Sequence, residues 1–237
     1  MTFEEWQRRP SPPAMTEEEW LASTDPKPML EGLRGQVSGR KLRLFAIACC
    51  RRVGHHISIA NRLQAIEDAE RFAEGMCSED ELSASCYRGW TGSTIRNHPI
   101  AFDADDYANA AAGDTAQPVA FEAADSVRNL AQLAADPDLE VRGEVQNGRE
   151  QYPQTQLLRD IFGNPFRPVV VDPSWLTSDV HALATGIYQD RAFDRMPILA
   201  DALEEAGCIN AHVLLHCRQQ SEHVRGCWVV DLLLGKS

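Results

Sequence analysis

The chain has 237 residues, of which 43% are hydrophobic and 24% are charged. This composition is typical of a globular protein and excludes wholesale disorder and collagen-like repeats, and the length suffices for one large domain or two small ones. The 23 basic and 35 acidic residues give a formal net charge of −12. That charge argues against attraction of the whole surface to nucleic acid or to anionic lipid.

The first 14 residues are predicted to be a mobile N-terminal appendage. Residues 1–6 (MTFEEW) are echoed by residues 15–20 (MTEEEW), and the proline-rich stretch between the two copies cannot continue a helix. Residues 15–237 are predicted to form a single helical domain. Within this domain we expect a variable, loop-rich insert near residues 88–150, because glycines and prolines interrupt its first part.

Capping signals predict where several helices begin. Thr16 followed by Glu19, and Ser78 followed by Glu81, are capping-box patterns. Asp-Pro pairs favour helix starts, because Asp accepts hydrogen bonds from free backbone amides and Pro has no amide hydrogen to satisfy. Such pairs occur at three places: Asp25-Pro26, Asp136-Pro137 and Asp172-Pro173.

Hydrophobic periodicity predicts a mainly α fold, an orthogonal multi-helix array with at most a minor short-strand element. The strongest signal lies in residues 40–53, where apolar side chains including Cys49 and Cys50 recur at the spacing of a half-buried helix. Residues 104–135 are predicted to be helical with a break near Gly113 and Pro118. Strand signals are confined to residues 169–171 and to the valines at residues 229–230. The two valines fit a terminal helix equally well.

The location of the protein can also be predicted. No apolar run approaches the ~20 residues that a membrane-crossing helix needs, and the N-terminus lacks the order of a secretory signal. The seven cysteines are odd in number and include an adjacent pair, unlike a disulfide framework. We therefore expect a cytoplasmic protein with free thiols and no membrane partner.

Three long motifs resemble those of a known family. They are RKLRLFAIACCRR at residues 40–52, LLRDIFGNPFRP at residues 157–168 and HVRGCWVVDLLLGK at residues 223–236, with WLASTDP near the start. The family is an uncharacterised, heavily duplicated bacterial paralogous family with no established activity, and the resemblance covers residues 15–87 and 153–237. It implies a cytoplasmic bacterial protein, often one of many paralogues and often attached to other modules.

A metal site is one alternative for the function. Zinc is bound by four side chains in a tetrahedron, and the C-terminal part of the chain holds several Cys and His residues. The spacing matches no known zinc finger because there is no Cys-x2-Cys pair, and cysteines that pack as small hydrophobes are the competing interpretation. The candidate ligands, with zinc as the candidate ion, are Cys50, His216, Cys217, His223 and Cys227.

No catalytic or cofactor-binding residue is predicted. The pair His212 and His216 lacks the Glu that a metalloprotease needs after the first His, since Val213 stands there. Neither a nucleophile elbow nor a phosphate-binding loop occurs. Cys49 or Cys50 could be a nucleophile beside the neighbouring arginines, but their apolar stripe predicts burial, which raises a thiol pKa.

Seven basic residues and no acidic one lie between Arg34 and Arg62. They are explained either by ion pairs with the protein's own acidic helices or by a partner surface. The sequence favours a non-enzymatic helical adaptor or scaffold that binds another protein. A zinc-stabilised module or a cysteine-dependent enzyme is the alternative, and nucleic-acid binding is the third. The candidate partner-binding residues are Arg40, Lys41, Arg43, Arg51 and Arg52.

Overall fold

A computed structural model describes residues 15–91, 104–117, 119–135 and 149–237. These residues form twelve α-helices and no strand, which confirms the predicted mainly α multi-helix array. In chain order the helices are α1 (Glu17–Ala22), α2 (Pro26–Gly32), α3 (Gly39–Arg52), α4 (Ala60–Ala73), α5 (Glu79–Thr91), α6 (Ala104–Asp114), α7 (Ala120–Ala135), α8 (Gln151–Phe162), α9 (Ser178–Asp190), α10 (Met196–Glu205), α11 (Ala211–Arg218) and α12 (Trp228–Leu233).

Local capping accounts for several helix starts. At α1 the predicted capping box is present, because the Glu19 amide donates to Thr16 Oγ1 at 3.2 Å and the Thr16 amide donates to Glu19 Oε2 at 2.8 Å. Asp25 caps α2 as predicted. Asp172 caps only a short 3-10 helix, and Asp136 lies outside the described residues.

Two predicted segments fall wholly or partly outside the described residues. The appendage at residues 1–14 lies outside them. Of the insert near residues 88–150, the structure describes the end of α5 together with α6 and α7, and the break between α6 and α7 lies at the predicted position. Residues 169–171, where the sequence allowed a strand, have no regular structure.

The first eight helices surround one set of buried apolar side chains, here called the N-terminal cluster. Its central helix is α3, which contacts α4, α7 and α8, while α6 packs against α7. Residues 42–50 of α3 are all buried, because neighbouring helices cover α3 on several sides instead of along the one predicted stripe. Trp20 of α1 is also buried, and its Nε1 donates to the Gly163 carbonyl at 3.1 Å.

The last four helices surround a second set, the C-terminal cluster. Helix α9 contacts α10 and α12, and α10 packs against α11. The cluster includes Ile187 of α9, Leu199 of α10 and Val230 of α12. Within the described parts of the chain, none of the helices combines the length and the apolar character required to cross a bilayer.

The two clusters meet along an interface that contains many ion pairs. Arg40 donates to both carboxylate oxygens of Asp231, at 2.7 and 3.2 Å. Arg51 donates to both oxygens of Glu70, at 2.7 and 3.0 Å. The arginine–carboxylate network, as we call it, comprises the buried Glu70 and Asp231 and the partly buried Glu74, with Arg40, Lys41, Arg51, Arg191, Arg225 and Lys236.

Two glycines allow the clusters to approach closely. Gly163, at the end of α8, has φ +64°, and a Cβ there would lie 3.1 Å from the Trp228 ring. Gly226 has φ +97°, and a Cβ there would lie 3.0 Å from Leu44 Cδ1. At both positions the positive φ and the short contact require glycine.

Candidate functional site

Four side chains capable of binding a metal converge at the interface. Asp160 lies in the last turn of α8, His216 in the last turn of α11, and His223 and Cys227 lie between α11 and α12. One donor atom of each residue lies within 4.8 Å of the donor atoms of the other three. We call these residues the four-donor group.

The distances between the donor atoms are short. Asp160 Oδ1 lies 2.6 Å from His223 Nδ1 and 3.2 Å from His216 Nε2. Cys227 Sγ lies 3.2 Å from His216 Nε2 and 4.0 Å from His223 Nδ1. An ion that binds its donors at roughly 2.0–2.3 Å in a tetrahedron separates them by about 3.3–3.6 Å. The observed distances lie on both sides of that value, so small movements suffice for the group to hold a divalent ion.

The group is enclosed by protein. Asp160 is 1% exposed and Cys227 is 0% exposed, and both histidine side chains are almost completely covered. A buried carboxylate is stable only when it is paired or hydrogen-bonded. Among the described residues the ion-pair partners of Asp160 are the two imidazoles, neither of which is a permanent cation.

Burial and hydrogen bonding set the protonation states. Burial alone would raise the pKa of Asp160, but hydrogen bonds from the two imidazoles outweigh it and the pKa is lowered. Burial lowers the pKa of His216 despite the opposing effect of Asp160. Burial also raises the pKa of the Cys227 thiol well above its usual value. The fold thus favours the carboxylate form of Asp160 and the thiol form of Cys227.

The contacts differ from those of a Cys–His–Asp catalytic triad. In a triad the imidazole bonds the nucleophile through one ring nitrogen and the carboxylate through the other. Here Cys227 and Asp160 both face Nε2 of His216, and both also face Nδ1 of His223. The buried sulfur is closed to a substrate. The arrangement is that of ligands around a common centre.

Outer hydrogen bonds hold the donors in place. The Val224 amide donates to Asp160 Oδ2 at 2.9 Å, which leaves Oδ1 to face the group. The side-chain amide of Gln219 lies 3.0 Å from His216 Nδ1. Outer partners such as Val224 and Gln219 orient the ligands of metal sites. His223 is the exception, because its Nε2 is buried without a hydrogen-bond partner among the described residues.

Three of the five predicted metal ligands belong to the four-donor group and two do not. Cys217 follows His216 by one residue, about 100° around the helix, and packs in the C-terminal cluster. Cys50 packs in the N-terminal cluster on α3. Burial raises the pKa of each of these two thiols to about 12.

Asp160 is absent from the predicted ligands because the prediction rests on Cys and His residues alone. Its position offered a signal, since it lies between Leu157 and Ile161 on the apolar side of an amphipathic helix. A carboxylate there is predicted to be buried, and Asp is an established zinc ligand. The sequence alone does not say which cation or metal it meets.

The five predicted partner-binding cations all contact the chain itself. Arg43 is almost completely buried, and the other four are partly covered at the interface. Their acceptors are Asp231 for Arg40, the Ile161 carbonyl for Lys41, the Thr115 and Gln117 carbonyls for Arg43, Glu70 for Arg51 and Glu150 for Arg52. The protein's own acceptors therefore engage this basic surface.

A groove adjoins the four-donor group. A cavity of about 280 Å³ lies between α1, the end of α8 and α11 and is lined by Trp20, Trp228 and His216, among others. Leu21 and Leu215 also line it and are 57% and 68% exposed. We call this surface the α1–α11 groove. One of its walls is thus a side chain of the four-donor group.

Comparisons with protein-family models, with curated proteins and with solved structures give no match.

Proposed function

We propose that the protein is a non-enzymatic helical adaptor of the cytoplasm that binds another protein through the α1–α11 groove. The observation that carries this proposal is the cavity bordered by the exposed Leu21 and Leu215. Concave surfaces with exposed apolar side chains are typical of sites where a partner inserts an anchoring side chain. Trp20 and Trp228 supply rigid aromatic walls for such an anchor.

The buried cysteines support binding over catalysis. Cys227 lacks the geometry of a triad, and burial raises the pKa of Cys49 and of Cys50 above the usual range. A zinc ion at the four-donor group would have a structural role, so the zinc-stabilised alternative is compatible with an adaptor. Nucleic-acid binding has less support, because the five cations proposed for a partner surface contact acceptors within the chain.

We also propose membership in the bacterial paralogous family on the strength of the three motifs. Asp160 belongs to the second motif, and His223 and Cys227 belong to the third. The two motifs are far apart in the chain but meet at one site. A shared site is therefore a physical reason for the second and third motifs to occur together in one chain.

A photo-crosslinking amino acid at position 215 tests the adaptor proposal. In cells that naturally produce the protein, we expect irradiation to give one discrete adduct with a partner protein. The further change Leu21→Asp should abolish that adduct, because a charge at the border of the groove opposes insertion of an apolar side chain.

Position 209 is the matched control. Ile209 is 92% exposed but does not line the groove. The same crosslinker there should give no such adduct. The proposal is contradicted when position 215 gives no adduct, or when positions 209 and 215 give the same one.

A further inference from the structure

The geometry points to a metal site: we propose that the four-donor group binds one Zn²⁺ ion that clamps the C-terminal cluster to the N-terminal cluster. Asp160 comes from α8 in the N-terminal part, and the other three donors come from α11 and the segment that leads to α12. This inference goes beyond the adaptor proposal. It does not depend on that proposal, because it rests on the four converging donor atoms and not on the groove.

Charge balance is the first argument. A dication, a carboxylate, a thiolate and two neutral imidazoles sum to zero net charge. Among the described residues no Arg or Lys forms an ion pair with the buried Asp160, whose partners are two imidazoles and the Val224 amide. A dication at this site gives the carboxylate a permanent counter-charge.

The donor set selects the metal. Two imidazoles, one thiolate and one carboxylate are the ligand types of zinc, whereas Ca²⁺ and Mg²⁺ require six or more oxygen ligands or water. All four positions come from the protein, which is typical of structural sites and unlike catalytic sites that keep an open position.

The outer hydrogen bonds fit the same assignment. When Nε2 of His216 binds an ion, its Nδ1 carries the proton and needs an acceptor. Gln219 supplies one, because its amide oxygen and nitrogen exchange places by a rotation of the side-chain amide. The Val224 amide holds the second oxygen of Asp160 and thereby directs the first oxygen at the ion.

Elemental analysis and cobalt substitution test the proposal directly. The full chain, purified without added metal, should contain about one zinc per chain. Removal of zinc with a chelator and addition of Co²⁺ should give the visible ligand-field bands of a tetrahedral site together with a thiolate-to-cobalt charge-transfer band. Both readouts use the wild-type chain and therefore do not depend on whether a variant folds.

Matched variants assign the ligands. Cys227→Ser should abolish the charge-transfer band, and Asp160→Asn should lower the affinity for Co²⁺ by at least about tenfold. Cys217→Ser removes an equally buried sulfur outside the group, and His212→Gln removes a histidine one turn earlier on α11. Both control variants should keep the zinc and the cobalt spectrum.

Two results would overturn the proposal. One is a wild-type chain with only trace zinc and no tetrahedral cobalt spectrum. The other is a charge-transfer band that survives Cys227→Ser but is lost in Cys217→Ser. Failure of crosslinking at position 215 leaves both measurements unaffected, so the two proposals can fail separately.

Discussion

The four-donor group and the arginine–carboxylate network lie at the same interface but balance charge differently. In the network Asp231 faces both Arg40 and Lys41, and Glu70 faces three guanidinium groups. In the four-donor group Asp160 faces two imidazoles and a thiol. The three carboxylates of the network are thus paired with six of the protein's own Arg and Lys side chains, whereas Asp160 is paired with imidazoles alone among the described residues.

Buried carboxylates at one interface are therefore expected to respond to different solution conditions. The network should respond to pH, because its acids lose their charge when protonated. The four-donor group should respond to the concentration of free metal, because ion binding stabilises the folded state by mass action. Variants and conditions that affect the network and spare the four-donor group, or the reverse, therefore test whether the two respond separately.

The largest loss of stability is expected for Arg40→Met. Among the described residues this change leaves the buried Asp231 paired with Lys41 alone and removes a cation from Glu74, and breaking such a buried pair costs about 3–5 kcal/mol. Urea denaturation in buffer with excess Zn²⁺ measures the loss. Arg218→Met is the control, because Arg218 pairs with carboxylates on the surface and its removal should change stability little. Equal effects of the two variants would contradict the interpretation of the network.

A smaller loss is expected when the wild-type chain is treated with a chelator. A site that is occupied at about 100 times its dissociation constant contributes about 3 kcal/mol to unfolding. The unfolding free energy in urea, with and without chelator, gives the value. Cys227→Ser should show almost no response to the chelator. A response equal to that of the wild-type chain would show that the stabilisation does not come from an ion at the four-donor group.

Acid should weaken the network in a defined direction. Burial alone would raise the pKa of Glu70, but the hydrogen bond from Arg51 and the charges of Arg225 and Arg191 outweigh it and the pKa is lowered. The resulting stabilisation is present above the unfolded-state pKa and is lost as the pH falls through the folded-state pKa. Each unit of lowering corresponds to about 1.4 kcal/mol.

Urea denaturation between neutral pH and pH 3, with chelator present throughout, measures this dependence. Glu70→Gln removes the titrating group, so its stability should vary less with pH than that of the wild-type chain. Identical pH profiles for the two proteins would show that Glu70 does not contribute.

The smallest effect is expected from the apolar contact between Gly163 and Trp228, which joins the N-terminal cluster to the C-terminal cluster. Gly163→Ala should destabilise by roughly 1 kcal/mol, because its positive φ is strained for alanine and Trp228 must shift to admit the methyl group. Gly186→Ala is the matched control: this glycine is inside α9 with nothing near its Cβ position, so alanine should stabilise by about 0.5–1 kcal/mol. Thermal denaturation distinguishes the opposite signs, and the same sign for both variants would contradict this reading of Gly163.

The helices could be predicted because their signals are local. Thr16 and Glu19 are three residues apart, and the α3 stripe is read within one window. The extent of burial around α3 could not be predicted, since it depends on helices distant in the chain. Likewise, Arg40 and Asp231 are separated by 191 residues, and nothing in the sequence pairs them.

The candidate site could be predicted only in part for the same reason. His216, His223 and Cys227 are close in sequence and of types that bind zinc, so composition alone suggests them. Asp160 is one of 35 acidic residues and lies 63 positions before His223. Its place on the apolar side of α8 predicts burial, but only the packing of α8 against the C-terminal cluster brings it beside the two histidines.

The final turn of α8 has a role on both sides of the interface. Arg159 donates to the carbonyls of Trp20 at 2.8 Å and of Ser23 at 2.7 Å, so it holds the wall of the groove, while the next residue, Asp160, faces the donors. An occupant that displaces this turn also changes the donor spacing, which makes the two binding events thermodynamically linked. By reciprocity, each event then alters the affinity of the other by the same factor. The proposed groove and the proposed ion site therefore share one helical turn.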